Sequence, residues 1–172
     1  MLDRERERMF AMLGDLEGAV LLDLFSGTGA ATLEALSRGA ARSIVVENGR
    51  RVLPVLRRNL EKMGAGERAS LLNLSALSLP RTQHPEQHSI DIAVCTPPFP
   101  LLEDPARNPA FCALFDHVLG HLLIPGGVFV LEHPARFDPT ALVARGEPGR
   151  SRRTASSAIT FFSAPESRQT PS

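Results

Sequence analysis

Short apolar runs alternate with amphipathic stretches along most of the chain. The apolar runs have the length and composition of buried strands, and they cover residues 20–25, 44–46, 70–74, 90–95 and 127–132. The stretches with helical spacing of apolar residues cover residues 2–13, 30–38, 50–63 and 109–123. Strands that alternate with helices in this way predict an α/β domain built on a largely parallel sheet.

The C-terminal part of the chain departs from this alternation. Two strand-like segments, residues 152–154 and 158–162, are joined by a pair of serines, which predicts an antiparallel hairpin at one edge of the sheet. A short helix is expected over residues 137–145, and residues 164–172 are rich in Ser and Pro and are expected to form a disordered tail. We therefore expect a single domain over residues 1–163.

Two finer expectations concern burial and loops. The apolar residues of the helix over residues 50–63 recur at helical spacing and are expected to be core residues: Val52, Val55, Leu56, Leu60 and Met63. The polar, proline-bearing segments 80–89 and 100–108 are expected to be surface loops.

The first strand leads directly into a glycine-containing turn. Residues 20–29 read Val-Leu-Leu-Asp-Leu-Phe-Ser-Gly-Thr-Gly, and a helical stretch follows at once. In parallel sheets, ligands bind where such a strand ends, because the first amides of the next helix point at them. A nicotinamide fingerprint has a third glycine where Thr32 stands, and a P-loop needs a lysine, whereas the one lysine of the chain is Lys62. Both of these phosphate-binding motifs are excluded.

Two acidic residues narrow the choice of ligand. Asp23 lies inside the first strand, and Glu47 ends the second, 20 residues after Gly27. An acid at that position can accept hydrogen bonds from a ribose diol. The pattern therefore predicts a nucleoside ligand without a pyrophosphate, and a tight turn that binds nothing is the alternative.

The same residues resemble the RsmD-type family of bacterial methyltransferases. The resemblance is carried by residues 22–29, by Leu-Glu-Ala-Leu-Ser-Arg-Gly-Ala at residues 33–40 and by Val-Val-Glu at residues 45–47, and it covers roughly residues 3–162. It implies a Rossmann-like class I methyltransferase fold, with a seven-stranded, mostly parallel sheet, an antiparallel C-terminal hairpin and helices on both faces. It also implies S-adenosyl-L-methionine as cofactor and the exocyclic amine of a guanine in 16S ribosomal RNA as acceptor. The implied cofactor-binding residues are Asp23, Phe25, Ser26, Gly27, Thr28, Gly29, Glu47, Asn48, Ser75 and Ala76.

The fourth strand is followed by the motif Thr96-Pro97-Pro98-Phe99. Methyltransferases that act on planar amines resemble one another here, with Asn or Asp, two prolines and an aromatic residue. A side-chain oxygen and a backbone carbonyl can accept the two amine protons and direct the lone pair at the methyl group, while the aromatic ring stacks on the base. These four residues are therefore the predicted catalytic residues.

The chain departs from the family pattern at two predicted site residues, one in the acceptor motif and one near the adenine. Thr96 replaces an acid or amide, and Ser75 replaces an acid near the adenine, so each site loses a charged or amide acceptor. Family members also begin with a longer segment, typically a β-hairpin, before residue 1 of this sequence. Three functions remain open: a ribosomal RNA methyltransferase, a non-catalytic module that keeps the fold, or a methyltransferase for another planar amine, such as a DNA base or glutamine.

Charge and composition add few constraints. The formal net charge is zero, so contacts with RNA must come from local patches such as the arginines of residues 150–153. Cys95 and Cys112 form no C-x-x-C pair and predict no disulfide. No signal peptide or long apolar run is evident, so a cytoplasmic protein is expected.

The histidines lack partners at metal-ligand spacing, so no metal is expected. His133 could be a turn residue or a functional one. The expected partner is 16S ribosomal RNA or the small ribosomal subunit, bound by a monomer away from membranes.

Overall fold

The computed structural model describes residues 3–103, 108–142, 148–154 and 156–166. It contains one seven-stranded sheet, in the order β3-β2-β1-β4-β5-β7-β6. The strands are β1 (Val20–Leu24), β2 (Arg42–Val46), β3 (Ala69–Leu72), β4 (Ile90–Cys95), β5 (Leu123–Pro134), β6 (Pro148–Arg153) and β7 (Ser157–Ser163). The helices are α1 (Asp3–Leu13), α2 (Ala30–Ser37), α3 (Leu53–Lys62), α4 (Phe99–Glu103) and α5 (Asn108–His117), which continues as a π-helical turn over Val118–Leu122.

The first five strands are parallel and the last pair is antiparallel. β1 pairs in parallel with β2 and β4, β2 with β3, and β4 with β5. β7 runs antiparallel to both β5 and β6. This topology confirms the predicted mixed sheet with a C-terminal hairpin.

Each face of the sheet is covered by its own apolar layer. On one face, Phe111 and Phe115 of α5 pack on Phe129 and Phe162, with the rings of Phe115 and Phe129 edge to face at 4.9 Å between centroids. On the other face, α1, α2 and α3 cover β1 and β2 and bury residues such as Phe10. Burial on both faces explains why the central strands are almost continuously apolar.

The burial prediction for α3 is partly wrong. Leu56 and Leu60 are buried, but Val55 is 44% and Met63 is 61% exposed. The helix ends at Lys62, so Met63 lies after the last helical residue and leaves the buried face. Val55 precedes Leu56 by about 100° of helical rotation, which places it at the side of the apolar stripe.

Other boundaries differ from the predicted ones. β5 begins at Leu123, before the Pro-Gly-Gly sequence, because a register shift between Ile90 and Ile92 of β4 accommodates those residues within the strand pair. The segment predicted as a loop over residues 100–108 begins with α4, so that prediction is wrong up to Glu103, and residues 104–107 lie outside the described part. A 3-10 turn, Pro139–Leu142, occupies the described part of the helix expected over residues 137–145.

Two further predicted features fall partly outside the described residues. The last three residues of the expected helix, 143–145, belong to this group. So does most of the expected tail, from residue 167 onward.

Candidate cofactor and acceptor site

The predicted site stretches meet at the edge formed by the carboxyl ends of the parallel strands. Ser26 N donates to Val46 O at 3.2 Å and so joins the turn after β1 to β2. On the other side of β1, Thr96 N donates to Leu24 O at 3.3 Å. The glycine turn, the acid after β2 and the motif after β4 therefore lie side by side, as the strand order requires.

The turn after β1 is held in an unusual backbone conformation. Phe25 was predicted as a strand residue, but its φ is +58°, so the strand ends at Leu24. Gly27 and Gly29 also have positive φ, at +57° and +83°. A Cβ built at Gly29 would lie 2.6 Å from Leu56 Cδ1, whereas one at Gly27 would meet no atom within 4 Å. Gly29 is thus required by both its conformation and its packing, and Gly27 by its conformation alone.

The Glu47 carboxylate is oriented by backbone amides. Its Oε2 accepts a hydrogen bond from Gly27 N at 2.8 Å, and its Oε1 accepts from Asn48 N at 2.9 Å and Gly49 N at 2.7 Å. A carboxylate has about four lone-pair sites, so Oε2 keeps capacity for a further donor such as a ribose hydroxyl. The Glu47 side chain is partly buried and links the turn after β1 to β2.

Asp23 is a buried carboxyl group directly beneath the turn. Its Oδ2 accepts from the Thr32 hydroxyl at 2.7 Å and from Thr32 N at 3.2 Å. Thr32 Oγ1 in turn lies 3.0 Å from Ser43 Oγ. Burial raises the pKa of Asp23 to about 6, against the lowering effect of the Thr32 hydrogen bonds, and the nearby Glu47 charge adds to the rise.

Two buried polar atoms of this turn lack hydrogen-bond partners. Among the described residues, neither Asp23 Oδ1 nor Ser26 Oγ has one. Buried polar atoms are normally satisfied, so orphans beside a glycine turn and the N-terminus of α2 indicate a place for a polar ligand. The donor set fits S-adenosylmethionine, because its amino group and ribose hydroxyls offer donors to the carboxyl oxygens of Asp23 and Glu47.

The remaining predicted cofactor residues lie around this centre. Ser75 and Ala76 follow β3 and begin a 3-10 turn, in which Ser75 O accepts from Ser78 N at 2.8 Å and Ala76 is buried. Thr28 and Asn48 are exposed at the rim. Thr28 O accepts a hydrogen bond from Asn59 Nδ2 at 2.9 Å.

Two supporting residues were not found from the sequence. Thr32 stands where a nicotinamide fingerprint has its third glycine, and in the structure its hydroxyl is the hydrogen-bond partner of Asp23. Asn59 gave no signal, because nothing in the spacing of a helical asparagine indicates the loop that it contacts.

The motif after β4 faces the same edge. Thr96 Oγ1 donates to Phe25 O at 3.4 Å, which ties the motif to the turn after β1. Pro97 is buried and Pro98 is exposed, and Leu101 N donates to Pro98 O at 2.9 Å as α4 begins. Phe99 is partly exposed at the start of α4. The motif therefore presents one hydroxyl and one partly exposed aromatic ring beside the turn after β1.

His133 lies at the end of β5 and has a structural environment. The ring is buried, donates from Nδ1 to Pro134 O at 2.9 Å, and lies 2.9 Å from Thr160 Oγ1 through Nε2. Burial lowers the pKa of His133, which favours the neutral ring, and in that form with Nδ1 protonated Nε2 accepts from the threonine hydroxyl. Both ring nitrogens are thus used within the β5–β7 pair.

The described residues contain neither a cluster of three metal-ligating side chains nor a helix long and apolar enough to cross a membrane. Cys95 and Cys112 are not joined by a disulfide, and Cys95 is fully buried as expected of a strand residue.

Sequence comparison places almost the whole chain in one family. The profile of the family described as Conserved hypothetical protein 95 matches residues 1–163. A relative, ribosomal RNA small subunit methyltransferase D of Escherichia coli strain K12, is 43% identical over 77 residues. That alignment covers 44% of this chain and 38% of the length of the relative.

Solved structures agree on the fold. The Escherichia coli protein yhhF superposes with a TM-score of 0.77 at 26% identity, over 96% of this chain and 86% of that one. An RNA methyltransferase from Salinibacter ruber, solved with S-adenosyl-L-homocysteine, gives a TM-score of 0.70 over 99% of this chain and 97% of that one. Its identity is 17%, so it supports the fold alone. With the family profile spanning residues 1–163, the chain belongs to the Conserved hypothetical protein 95 family, and its predicted resemblance to the RsmD-type methyltransferases, which use S-adenosylmethionine, is confirmed.

Proposed function

We propose that this protein transfers the methyl group of S-adenosylmethionine to the exocyclic amine of a guanine in small-subunit ribosomal RNA. The observation that carries the proposal is the contact between Thr96 and the turn after β1, through Leu24 O and Phe25 O. This contact supports the proposal because it joins Thr96 to the residues around Phe25, beside the glycine turn after β1. The family and the Escherichia coli relative, a small-subunit ribosomal RNA methyltransferase, supply the substrate class.

The cofactor is held by groups that are already oriented. Glu47, fixed by three backbone amides, would accept hydrogen bonds from the ribose hydroxyls. Ser75 and Ala76, which begin the 3-10 turn after β3, would contact the adenine. Asp23 Oδ1 and Ser26 Oγ receive polar groups of the methionine part. When bound, S-adenosylmethionine supplies a methyl group on a sulfonium leaving group.

Thr96 positions the amine as a hydrogen-bond acceptor. Its hydroxyl hydrogen points to Phe25 O, so the lone pairs of Oγ1 are available for an N–H of the substrate. The second N–H is accepted by a backbone carbonyl of the proline pair, and Phe99 stacks on the base. Two accepted protons turn the amine lone pair toward the methyl group, so the residues contribute orientation more than proton transfer.

The proposed acceptor also implies a compartment, because a substrate in the small ribosomal subunit is found in the cytoplasm. A monomer is proposed as the assembly that carries out the transfer. Cofactor and acceptor residues also lie in one domain, as proposed for residues 1–163.

A methyl-transfer assay tests the proposal. Purified protein, radiolabelled S-adenosylmethionine and either 16S ribosomal RNA or small subunits lacking methylation are combined, and the product nucleosides are separated by mass. We expect label in methylguanosine modified at the exocyclic amine. Label in DNA or in glutamine residues in a competition with RNA would contradict the RNA assignment.

Thr96 also supports a second candidate, a module that binds the cofactor without transferring methyl groups. A neutral hydroxyl is a weaker acceptor than the acid or amide of the family pattern. If the protein binds S-adenosylmethionine but labels neither RNA nor subunits, even after Thr96→Asp, the module is the correct function. Transfer by the natural protein excludes it.

A further inference from the structure

The outer strand of the hairpin carries a concentration of positive charge. β6 contains Arg150, Arg152 and Arg153, and all three are exposed. The net charge of the chain is zero, so three arginines within four residues form a local feature and not part of a general positive field. Within the described residues β6 pairs only with β7, which leaves its other side without a neighbouring strand.

The strand register brings two of these arginines to the same level as the acceptor motif. Cys95, Leu131, Thr160 and Ser151 are successive partners across β4, β5, β7 and β6. Arg152 and Arg153 follow Ser151 and run toward the same edge, at the level of Thr96 and Pro97. Three strand spacings separate β4 from β6, which is about 14 Å, or roughly four stacked nucleotides.

Arg152 and Arg153 are available to a partner. None of the ion pairs among the described residues involves either guanidinium group. Arg150, in contrast, donates to Met12 O at 3.3 Å and lies over the Phe161 ring, so its side chain is already engaged. The two free arginines are therefore those nearest to the acceptor motif.

A third exposed arginine, Arg8, lies beside Arg152, while Arg153 points to the opposite face of the edge strand. Arg8 of α1 and Arg152 line the same small cavity between α1 and the hairpin. The carboxylate in that cavity, Glu5, is buried and accepts a hydrogen bond from Ser157 Oγ at 3.1 Å. The Glu5 carboxylate is therefore shielded from solvent, whereas Arg8 and Arg152 are exposed residues.

We propose that Arg8, Arg152 and Arg153, which we call the basic edge, bind the phosphate backbone of the RNA whose base enters the acceptor motif. Arginine suits this role because its planar fork bonds two phosphate oxygens. Backbone N–H groups on the unpaired side of β6 can donate to phosphate oxygens next to these arginines. The inference rests on the proposed RNA methyltransferase function and extends it with a docking surface.

The salt dependence of RNA binding tests the basic edge. Binding of labelled 16S ribosomal RNA transcript is measured at several salt concentrations for the natural protein and for Arg152→Gln/Arg153→Gln. Two lost phosphate contacts should lower the slope of log K against log salt by about 1.4 to 1.8, and weaken binding by about 25- to 60-fold near 0.1 M salt. The RNA KM should rise while kcat at saturating RNA stays unchanged.

The matched control removes the same charge elsewhere. Arg57→Gln/Arg58→Gln changes two exposed arginines of α3, on the other side of the central strand β1 from the hairpin. It should leave the slope near that of the natural protein. Equal losses in both variants would show a general charge effect and overturn the basic edge, as would an unchanged slope in the β6 variant.

The two proposals fail in different ways. If the natural protein methylates RNA and the β6 variant binds it equally well, only the basic edge is wrong. If the natural protein neither binds nor methylates RNA, both proposals are wrong. Titration with S-adenosylmethionine should give the same affinity for the β6 variant as for the natural protein, which shows that the variant is folded.

Discussion

Thr32→Val removes one hydroxyl beside the buried Asp23 and changes the side-chain volume little. In the natural protein this hydroxyl donates the shorter of the two hydrogen bonds to Asp23 Oδ2, at 2.7 Å. The other carboxyl oxygen has no partner among the described residues, so the variant leaves the carboxyl group with the backbone bond from Thr32 N. We expect the pKa of Asp23 to rise further and the protein to lose stability in a pH-dependent way.

The sign and the size follow from linkage. Asp23 has a folded-state pKa of about 6, above its ordinary value of 3.8, so its contribution to stability is fully present at low pH and is lost as pH rises between those values. The difference corresponds to about 3 kcal/mol in the natural protein. Loss of a hydrogen bond to a neutral carboxyl group costs about 1 kcal/mol, and to a carboxylate about 2 kcal/mol. Thr32→Val should therefore destabilise by about 1 kcal/mol more at high pH than at low pH.

Urea unfolding measures this difference directly. The free energy of unfolding is determined for both proteins at about pH 4.5, where folded Asp23 is mostly protonated, and at about pH 8, where it is ionised. Ser43→Ala is the matched control, because Ser43 contacts Thr32 Oγ1 and not the carboxyl group. Its cost should be independent of pH. An equal cost of Thr32→Val at both pH values would refute the assignment of Asp23 as a buried, titrating acid.

Three further predictions concern the turn and the acceptor motif. Glu47→Gln should weaken S-adenosylmethionine binding by about 10- to 100-fold, measured by calorimetry, because the amide replaces one of two charged acceptor oxygens. Gly27→Ala should lower the free energy of unfolding by about 1–2 kcal/mol because of the positive φ at this position. Gly29→Ala should lower it by about 1–3 kcal/mol more, because the added methyl group meets Leu56. Equal unfolding free energies of the two variants would contradict the packing at Gly29. Thr96→Val should lower kcat by about tenfold and Thr96→Asp should raise it by a similar factor, with RNA KM unchanged; no effect of Thr96→Val would remove this residue from the mechanism.

Much of the fold could be predicted because the hydrophobic pattern of each strand agrees with its place in the sheet. The apolar runs at β1, β2 and β4 are buried on both faces, so their sequences carry a continuous hydrophobic signal. The order of elements then fixes which strand ends lie together. Glu47 could therefore be placed beside Gly27 from spacing alone, and a hydrogen bond of 2.8 Å joins them.

The errors arise where tertiary contacts override local patterns. The positive φ of Phe25 gives no sequence signal, since aromatic residues favour strands. Met63 has the right spacing for the core but follows the last helical residue. The partnership of Thr32 with Asp23 depends on how α2 packs on β1, which spacing does not reveal.

Calorimetric titration of the purified protein with S-adenosylmethionine, with S-adenosylhomocysteine as the product control, tests the site most directly. Asp23, Glu47 and the glycine turn should give saturable binding in the micromolar range, about −8 kcal/mol, that Glu47→Ala weakens strongly. No heat of binding from a sample that unfolds cooperatively would contradict the cofactor site, and with it the proposed methyl transfer.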